Sequence, residues 1–593
     1  MFQGIFRRKS LNAILSSAEE GQGFTTLKRS LGAFQLTLLG IGAIIGAGIF
    51  STVGTAAAGG ADHPGAGPAI ILSFVLTAIT CGFAALCYAE FTSMVPISGS
   101  AYTYAYATLG ELIGWIIGWD LIIEYAVGNV AVAISWSGYF QELMRGFGIS
   151  FPAWLATDYR SAAQAARQVA EGAAAGTPVI DGAILQGAEA LAKAPHFLGL
   201  PMVFNLPAFL IVMLVTWVLV VGIRESAWFN SSMVILKLAI ITFFIAMGSY
   251  YVKPANWHPF APNGMHGVFG AAAIIFFAYI GFDAVSTAAE EAKNPGRDLP
   301  RAILGSLVVC TVIYIAVAAV LTGMLPWQQL GTAEPLATAF SALNLRWPAL
   351  VISLGAVFAT TSVLIVFQLG QPRIFFSMAR DGLLPKWAAK VHPKYRTPYI
   401  TTIITGVLVG VFAGVANINE VVELTNIGTL FAFVLVCFGV TILRYREPDR
   451  PRTFKVWGGA WLVPMLGAAS CLFLMFYLPP ASWWRFFGWL VLGMSVYFSY
   501  GYQNSTVGRE GGRPAFATGP QKLLAFGTFL VACGLFVIPH DAGPLQLFHE
   551  MVTRAEGDHT RALVGLSLIG IGLLGAIAGA LGGSSGDGRA AAR

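Results

Sequence analysis

The sequence predicts an all-α integral membrane protein of about fourteen transmembrane helices. A five-plus-five inverted repeat, with helices 1 and 6 broken, is followed by four extra C-terminal helices. Three observations carry this prediction. Hydrophobic types make up 56% of the 593 residues and charged types only 11%, whereas a soluble chain carries about 25% charge; the mean hydropathy is +0.70. Apolar runs of span length recur along the whole chain. The first and sixth runs are interrupted, and paired interruptions at corresponding positions of two halves mark inverted-repeat transporters with a midplane site. The composition excludes a soluble enzyme, a disordered chain and a nucleic-acid binder. The formal charge of +6 is scattered between apolar runs, while a nucleic-acid protein gathers its basic residues on one face.

Taken in order, residues 1–30 are mixed polar, with Arg7, Arg8, Lys9, Lys28 and Arg29. They lack the long apolar core and cleavage site of a signal peptide and are expected to form a cytoplasmic tail. The first repeat, 31–251, holds runs at 31–55, 67–89, 101–140, 202–222 and 231–251 (spans 1 to 5). The third is too long for one crossing and is expected to tilt or to extend beyond the bilayer. The second repeat, 267–443, holds runs at 267–288, 302–324, 349–370, 399–415 and 421–443 (spans 6 to 10). Runs at 461–478, 483–500, 522–539 and 562–581 (spans 11 to 14) fill 461–581, and 582–593 is a second cytoplasmic tail.

With the N-terminus inside, the internal segments and the span ends that join them hold 25 of the 35 Lys and Arg; the external ones hold nine, and Lys237 lies within a span. This positive-inside bias places both termini in the cytoplasm. The external segment 141–201 is Ala-rich and polar; its stretch 162–175 favours helix outside the membrane, and the segment reads as a lid or spacer without chemistry. The six cysteines all lie in apolar runs with no CxxC pair, which makes them small buried residues, not a disulfide or metal framework. No cofactor or metal is expected.

Span 1 carries Gly40-Ile41-Gly42-Ala43-Ile44-Ile45-Gly46-Ala47-Gly48-Ile49-Phe50. Four glycines in nine residues weaken a helix by about 1 kcal/mol each. Span 6 carries Phe276-Phe277-Ala278-Tyr279-Ile280-Gly281-Phe282-Asp283, a glycine and a carboxyl inside an apolar run. Unwound backbone is tolerated in a membrane only where it lines a protein-enclosed cavity. Free N–H groups at a half-helix N-terminus suit a carboxylate, and carbonyls at half-helix C-termini suit an ammonium. A zwitterionic α-amino acid offers both charges. The competing reading is that the glycines only let helices approach closely.

These two segments, with the continuation of span 6 through Ser286-Thr287-Ala288-Ala289-Glu290-Glu291-Ala292-Lys293-Asn294-Pro295-Gly296-Arg297, resemble the amino acid–polyamine–organocation superfamily of permeases. The likeness is strongest to its cationic amino acid transporter branch, bacterial type. Ser377-Met378-Ala379-Arg380-Asp381-Gly382-Leu383-Leu384-Pro385 is similar to that superfamily's loop between spans 8 and 9, and Ile97-Ser98-Gly99-Ser100-Ala101-Tyr102 to its segment before span 3. The resemblance runs over about 32–443 and implies the inverted-repeat fold of the leucine-transporter type. It also implies secondary transport of amino acids, cationic or small neutral, across a bacterial inner membrane. By the family's pattern, N–H groups near Gly46, Ala47 and Gly48 would hold the α-carboxylate. Carbonyls near Ile44, Phe277 and Ile280 would hold the α-amino group, with Phe277 a gating aromatic.

Lys237 sits deep in span 5, where an ionised Lys costs about 2.5–3.5 kcal/mol on insertion scales. That cost makes it a candidate for gaining and losing a proton, and proton-coupled members of the resembled family carry a Lys here. Its candidate ion-pair partners are Glu124, Asp120 and Asp283. Asp120 and Glu124 are four apart, on one face of span 3; Glu124 is the proton-relay or recognition candidate, and Asp120 reads as marking an aqueous rim. Asp283 could face the substrate side chain or pin the unwound segment. Glu290, Glu291, Lys293 and Arg297 form either an inner-gate ion network or a solvated helix end. Thr360, Thr361 and Ser362 of span 8 could offer hydroxyls, although such groups usually bond the preceding turn.

The reading is a proton-coupled amino acid importer whose partners are substrate, protons and the lipid bilayer. An exchanger or a polyamine carrier is the alternative within the class. Outside it, a membrane-embedded enzyme is disfavoured because all eight histidines fall in loops or at span ends and no HExxH, GxSxG or phosphate loop occurs. An amino acid sensor is disfavoured for want of a soluble signalling domain. The topology has a direct check. Single cysteines at Thr177 and Gly508 should label from opposite sides of an intact cell with an impermeant thiol reagent; labelling from one side would overturn the span count between them.

Overall fold

The computed structural model describes residues 31–60, 63–94, 100–174, 182–197, 200–222, 227–510, 519–537 and 559–590. Nearly all of this is helix; the strands among the described residues are the two-residue pair His196–Phe197 and Leu200–Pro201. Each apolar run carries helix. Among the described residues seven helices are individually long and apolar enough to cross a membrane, or nine if each of two bent pairs is one span. Shorter apolar helices, such as Leu206–Val221 and Tyr399–Val415, occupy the other runs.

The third run departs from the single long helix expected of it. The N–H groups of Leu109 and Gly110 both turn back to the Ala105 carbonyl, ending a short helix Ser100–Thr108. Gly110 then takes φ 106°, and a fresh helix, Glu111–Gly146, starts beyond it. The corner takes up only part of the run, and the 36-residue helix beyond it still exceeds one crossing, in line with the expectation. Spans 11 and 12 meet in a similar way, at a turn of 115° before Pro480.

Packing follows the two halves. Span 2 lies on span 7, span 3 on span 8 and span 4 on span 9. Each pairs equal positions in the five-helix units, as a pseudo-symmetric repeat requires. Span 5 touches spans 1, 7 and 8, span 10 lies on span 3, and the last two helices lie on each other. Large apolar side chains face outward, among them Trp217, Val312, Leu408, Phe412 and Leu574. Such a surface suits hydrocarbon, not water. Five of the six cysteines are buried and all six are free.

In segment 141–201 the helices Tyr159–Ala174 and Gly182–Lys193 pack through Ala162, Ala190 and Ala194. Residues 175–181, including Thr177, lie outside the described residues. The first helix is moored to the start of span 10 by Arg160 on Glu420 and by Asn417 on Ser161. At the other face, where the short pre-span-3 helix lies, Glu90 ends span 2 in a fully buried site. Arg444 of span 10 donates to both its oxygens, Val456 N–H adds a bond at 2.9 Å, and Arg452 Nε stands 3.4 Å away. Both guanidiniums also bond main-chain carbonyls of the loop after span 10. This fixes that loop onto the bundle. Removing one partner of a buried pair leaves uncompensated charge and costs about 3–5 kcal/mol. Glu90→Ala should therefore lower the thermal unfolding midpoint of the detergent-solubilised protein markedly; an unchanged midpoint would show that the pair contributes nothing.

Candidate functional site

Span 1 runs as helix over Ala33–Ile44, where Ile45 N–H closes the last turn on Ile41 at 2.9 Å. Ile45 is extended, at φ −75° and ψ 98°. Helix resumes as a wide turn over Gly48–Thr52 and continues as Val53–Ala58, bent 43° from the first half. Span 6 runs over Gly264–Ile275, tightens over Phe276–Tyr279 and breaks at Ile280, which is extended, and Gly281, at φ 120°. A tight helix follows over Phe282–Glu291. Gly281 is required twice. Its φ is one that side chains rarely adopt, and a Cβ there would fall 2.7 Å from the Ala43 carbonyl oxygen. The two breaks lie against each other.

Side chains from neighbouring spans take up the backbone groups that the breaks release. Tyr314 of span 7 directs its hydroxyl at Ile44 O and Ala278 O, 2.9 Å from each. Lys237 of span 5, fully buried, donates to Gly42 O at 2.8 Å and Ile45 O at 3.2 Å. Asn426 of span 10 donates to Ala273 O and Ile274 O at 2.8 Å each. Among the described residues no carboxylate pairs with Lys237, so the ion pair with Glu124, Asp120 or Asp283 is replaced by main-chain carbonyls. The geometric reason is that Lys237 meets the end of the first half of span 1, where carbonyls have lost their helical donors.

Ile44, Gly46, Ala47, Gly48, Phe277 and Ile280 all come together at the two breaks, and all are buried. Gly48 also carries the packing reading: a Cβ there would collide with the Ala278 backbone. The glycine thus allows the close approach of the two spans, whatever else it does. A small, partly open cavity lies beside Ala43, Ile280 and Gly281. Glu124, Tyr125, Asp283 and Phe367 line it, so two of the carboxyl groups singled out in the sequence share one space. Glu124 Oε2 has no partner among the described residues. Asp120 is fully buried against Gly428 of span 10, with neither oxygen bonded among the described residues. It does not mark an aqueous rim: span 10 covers this face of span 3.

On the far side of the breaks from this cavity, the second half of span 1 is tied down. Ser51 bonds Ser135 at 2.5 Å and the Ala333 carbonyl, and Tyr139 bonds the Phe50 carbonyl. On the near side, Lys293 N–H bonds Leu31 O at 2.8 Å beside a parallel bridge between Leu31 and Ala292. The Lys293 and Arg297 side chains are exposed and join no ion pair among the described residues. The backbones of Glu290 and Glu291 are helical; their side chains lie outside what is described. In span 8, Thr360 bonds Ala356 O and Thr361 bonds Val357 O, the local role such hydroxyls usually take, and Thr361 also accepts from the Trp136 indole N–H of span 3 at 2.9 Å.

Tyr314 and Asn426 were not singled out from the sequence. A signal existed for Asn426, since an amide inside a membrane helix marks an interhelical bond. Tyr314 gave none, because a Tyr in an apolar run looks like any aromatic.

Two interrupted helices set against each other, a partly polar cavity beside them and a closed contact on one side define a multi-pass membrane carrier. The chain belongs to the amino acid permease family, whose pattern matches residues 31–496. It is 45% identical to the branched-chain amino acid permease BcaP of Bacillus subtilis (strain 168), over 84% of this chain and 98% of that one. It is 42% identical to the methylthioribose transporter of the same organism, over 85% and 99%. To cationic amino acid transporter 9, chloroplastic, of Arabidopsis thaliana it is 37% identical over 74% and 70%. It is a transporter and not an enzyme.

The geometry gives Tyr314 a testable role. Tyr314→Phe keeps the ring but strips two buried carbonyls of their donor, at about 1–3 kcal/mol for each such group. The variant should express, melt several degrees lower and transport poorly; full transport with an unchanged melting point would remove Tyr314 from the site.

Proposed function

We propose that this permease imports α-amino acids by alternating access, coupled to protons, across a plasma membrane with both termini in the cytoplasm. The observation that carries the coupling is the Lys237 ammonium bonded to Gly42 O and Ile45 O at the break of span 1. A protonated Lys offers three donors and full charge. A neutral amine grips carbonyls more weakly, so loss of the proton loosens the bent form of span 1. The charge distribution among the loops supports the orientation.

In this reading N–H groups of Gly46, Ala47 and Gly48 receive the α-carboxylate. Carbonyls of Ile44, Phe277 and Ile280 receive the α-amino group, with the Tyr314 hydroxyl yielding the first of them when substrate arrives. The side chain enters the cavity that Glu124 and Asp283 share, which suits a cationic group, while Phe367, Val363 and Ile280 suit an apolar one. Glu124 also serves as a proton relay. The backbone strap from Lys293 to Leu31 is the inner closure that Glu290, Glu291, Lys293 and Arg297 surround. The relatives named for branched-chain and cationic amino acids support a common reading of the amino acid backbone with a variable side-chain pocket. The relative named for methylthioribose makes a neutral sugar the competitor to exclude. Because main-chain groups read both ends of the zwitterion, amidating or decarboxylating the substrate should remove most affinity in a competition assay; a methylthio sugar competing as well as any amino acid would replace this assignment.

Coupling has its own experiment. Uptake into proteoliposomes should rise as outside pH falls, collapse with a protonophore and ignore replacement of sodium by choline. Lys237→Met removes the titrating group at similar length. It should keep part of the exchange activity and lose accumulation driven by a proton gradient; a Met variant that still concentrates substrate would refute the role.

A further inference from the structure

The loops after span 8 and after span 10 are both rich in basic residues, and the structure uses the two differently. After span 10, Arg444 and Arg452 are buried on Glu90, Arg450 pairs with Glu447, and Arg446 donates to the Thr108 carbonyl. After span 8, Arg380, Lys386, Lys390, Lys394 and Arg396 are all exposed, and none joins an ion pair among the described residues. No acidic residue occurs between Asp381 and Glu420. Asp381 itself is buried and accepts the Tyr102 hydroxyl bond at 2.8 Å. A positive-inside signal requires only the charge. It does not require that one loop neutralise its guanidiniums while the other leaves its cations free.

The free cations alternate with exposed apolar side chains: Trp387 follows Lys386, Val391 follows Lys390 and Tyr395 follows Lys394. The short helix Lys386–Ala389 lies on spans 8 and 9 and buries Ala388 alone. The turn beyond it is fixed. His392 Nδ1 accepts from the N–H groups of Lys394 and Tyr395 at 3.2 and 3.1 Å. The His392 N–H donates to Thr397 O at 2.8 Å, and its ring stacks on Tyr395 with centroids 4.7 Å apart. Thr397 donates its hydroxyl to Val220 O, at the end of span 4, at 2.9 Å. Next to these contacts spans 4 and 9 turn Trp217, Val221, Ile403 and Ile404 outward. The basic turn therefore stands at the lipid-facing rim of the bundle.

We propose that the loop 380–396 is a docking surface for anionic phospholipid headgroups. Its Lys and Arg heads meet the phosphates, and each cation near an anionic leaflet adds to the attraction. Five of them with no carboxylate in between act without offset. Trp387 and Tyr395 take the headgroup level that amphipathic rings favour. A soluble acidic partner would match the charge but not the apolar side chains set between the cations at the rim. Because the turn is already ordered by His392 and Thr397, docking costs little conformational freedom. That the leaflet is the inner one rests on the orientation proposed above; the headgroup chemistry does not.

The test counts lipids on the whole protein. Full-length protein in detergent micelles at low salt is offered equal amounts of phosphatidylglycerol and phosphatidylcholine with matched chains, and native mass spectrometry counts those retained. Micelles have no sides and no gradient, so the result depends on neither the orientation nor the transport scheme. The wild type should retain phosphatidylglycerol over phosphatidylcholine by about tenfold, and the preference should fade as salt shortens the reach of the charges. Lys386→Gln, Lys390→Gln, Lys394→Gln and Arg396→Gln combined should bring the ratio to within about twofold of even. Should that variant fail to assemble, Lys386→Gln with Lys390→Gln, and Lys394→Gln with Arg396→Gln, should each lower it by about threefold. Arg450→Gln, which removes a cation already paired, should leave it unchanged. A wild type without preference, loop variants that keep it, or an equal fall in Arg450→Gln would overturn the proposal. So would displacement of the lipid by inorganic phosphate at matched ionic strength, which would show a site for phosphate alone.

Discussion

A helix that stops in the middle of a bilayer leaves main-chain groups that lipid cannot satisfy. Both interrupted spans face that constraint, and much of the bundle is arranged to meet it. The Ile44 and Ala278 carbonyls share one tyrosine hydroxyl. Gly42 and Ile45 are held by Lys237, and Ala273 and Ile274 by Asn426. These donors come from spans 7, 5 and 10, so no break is maintained by its own helix. Any movement of spans 1 or 6 must exchange these bonds for others or for bonds to a ligand. The proposed transport cycle uses that exchange to let substrate and proton occupancy change helix positions.

The same logic separates the two sides of the site. One side is tied through Ser51, Ser135, Ala333 and Tyr139, all short polar contacts among spans 1 and 3 and the segment between spans 7 and 8. The other carries the cavity with Glu124 and Asp283. Apolar burial reinforces the Ser51 contacts, since Phe50 beside Ser51 is fully buried and packs edge-on against the Tyr139 ring. The Glu90, Arg444 and Arg452 cluster is built differently: its charges are satisfied twice over, by each other and by main-chain groups. A buried ion pair bonded to main-chain groups as well is expensive to take apart, which suits an anchor for the loop after span 10.

Much of the architecture was legible in the sequence because a bilayer imposes simple rules. Apolar length decides which segments cross, glycine clusters show where helix is weak, and equal spacing of the two breaks shows the repeat. The helices fall on the expected runs, and the family match confirms the class. The third run shows where length alone misleads, because hydropathy does not register the corner at Gly110, where two N–H groups return to Ala105.

The candidate site was half legible, for a physical reason. Broken segments announce themselves locally, through Gly46, Gly48 and Gly281, since backbone conformation is a property of a few adjacent residues. What satisfies them is not local. Tyr314 lies 270 positions from Ile44, and Lys237 lies 195 from Gly42. A lone Lys in an apolar run looks for a carboxylate when only the sequence is in view. The tertiary structure gave it carbonyls, because the nearest unsatisfied groups were those of a helix end. Likewise Asp120, read as marking an aqueous rim, is covered by span 10. Sequence determined which backbone groups would be left free and which charges the membrane would have to accommodate. Only the packing of distant helices decided which partner each received.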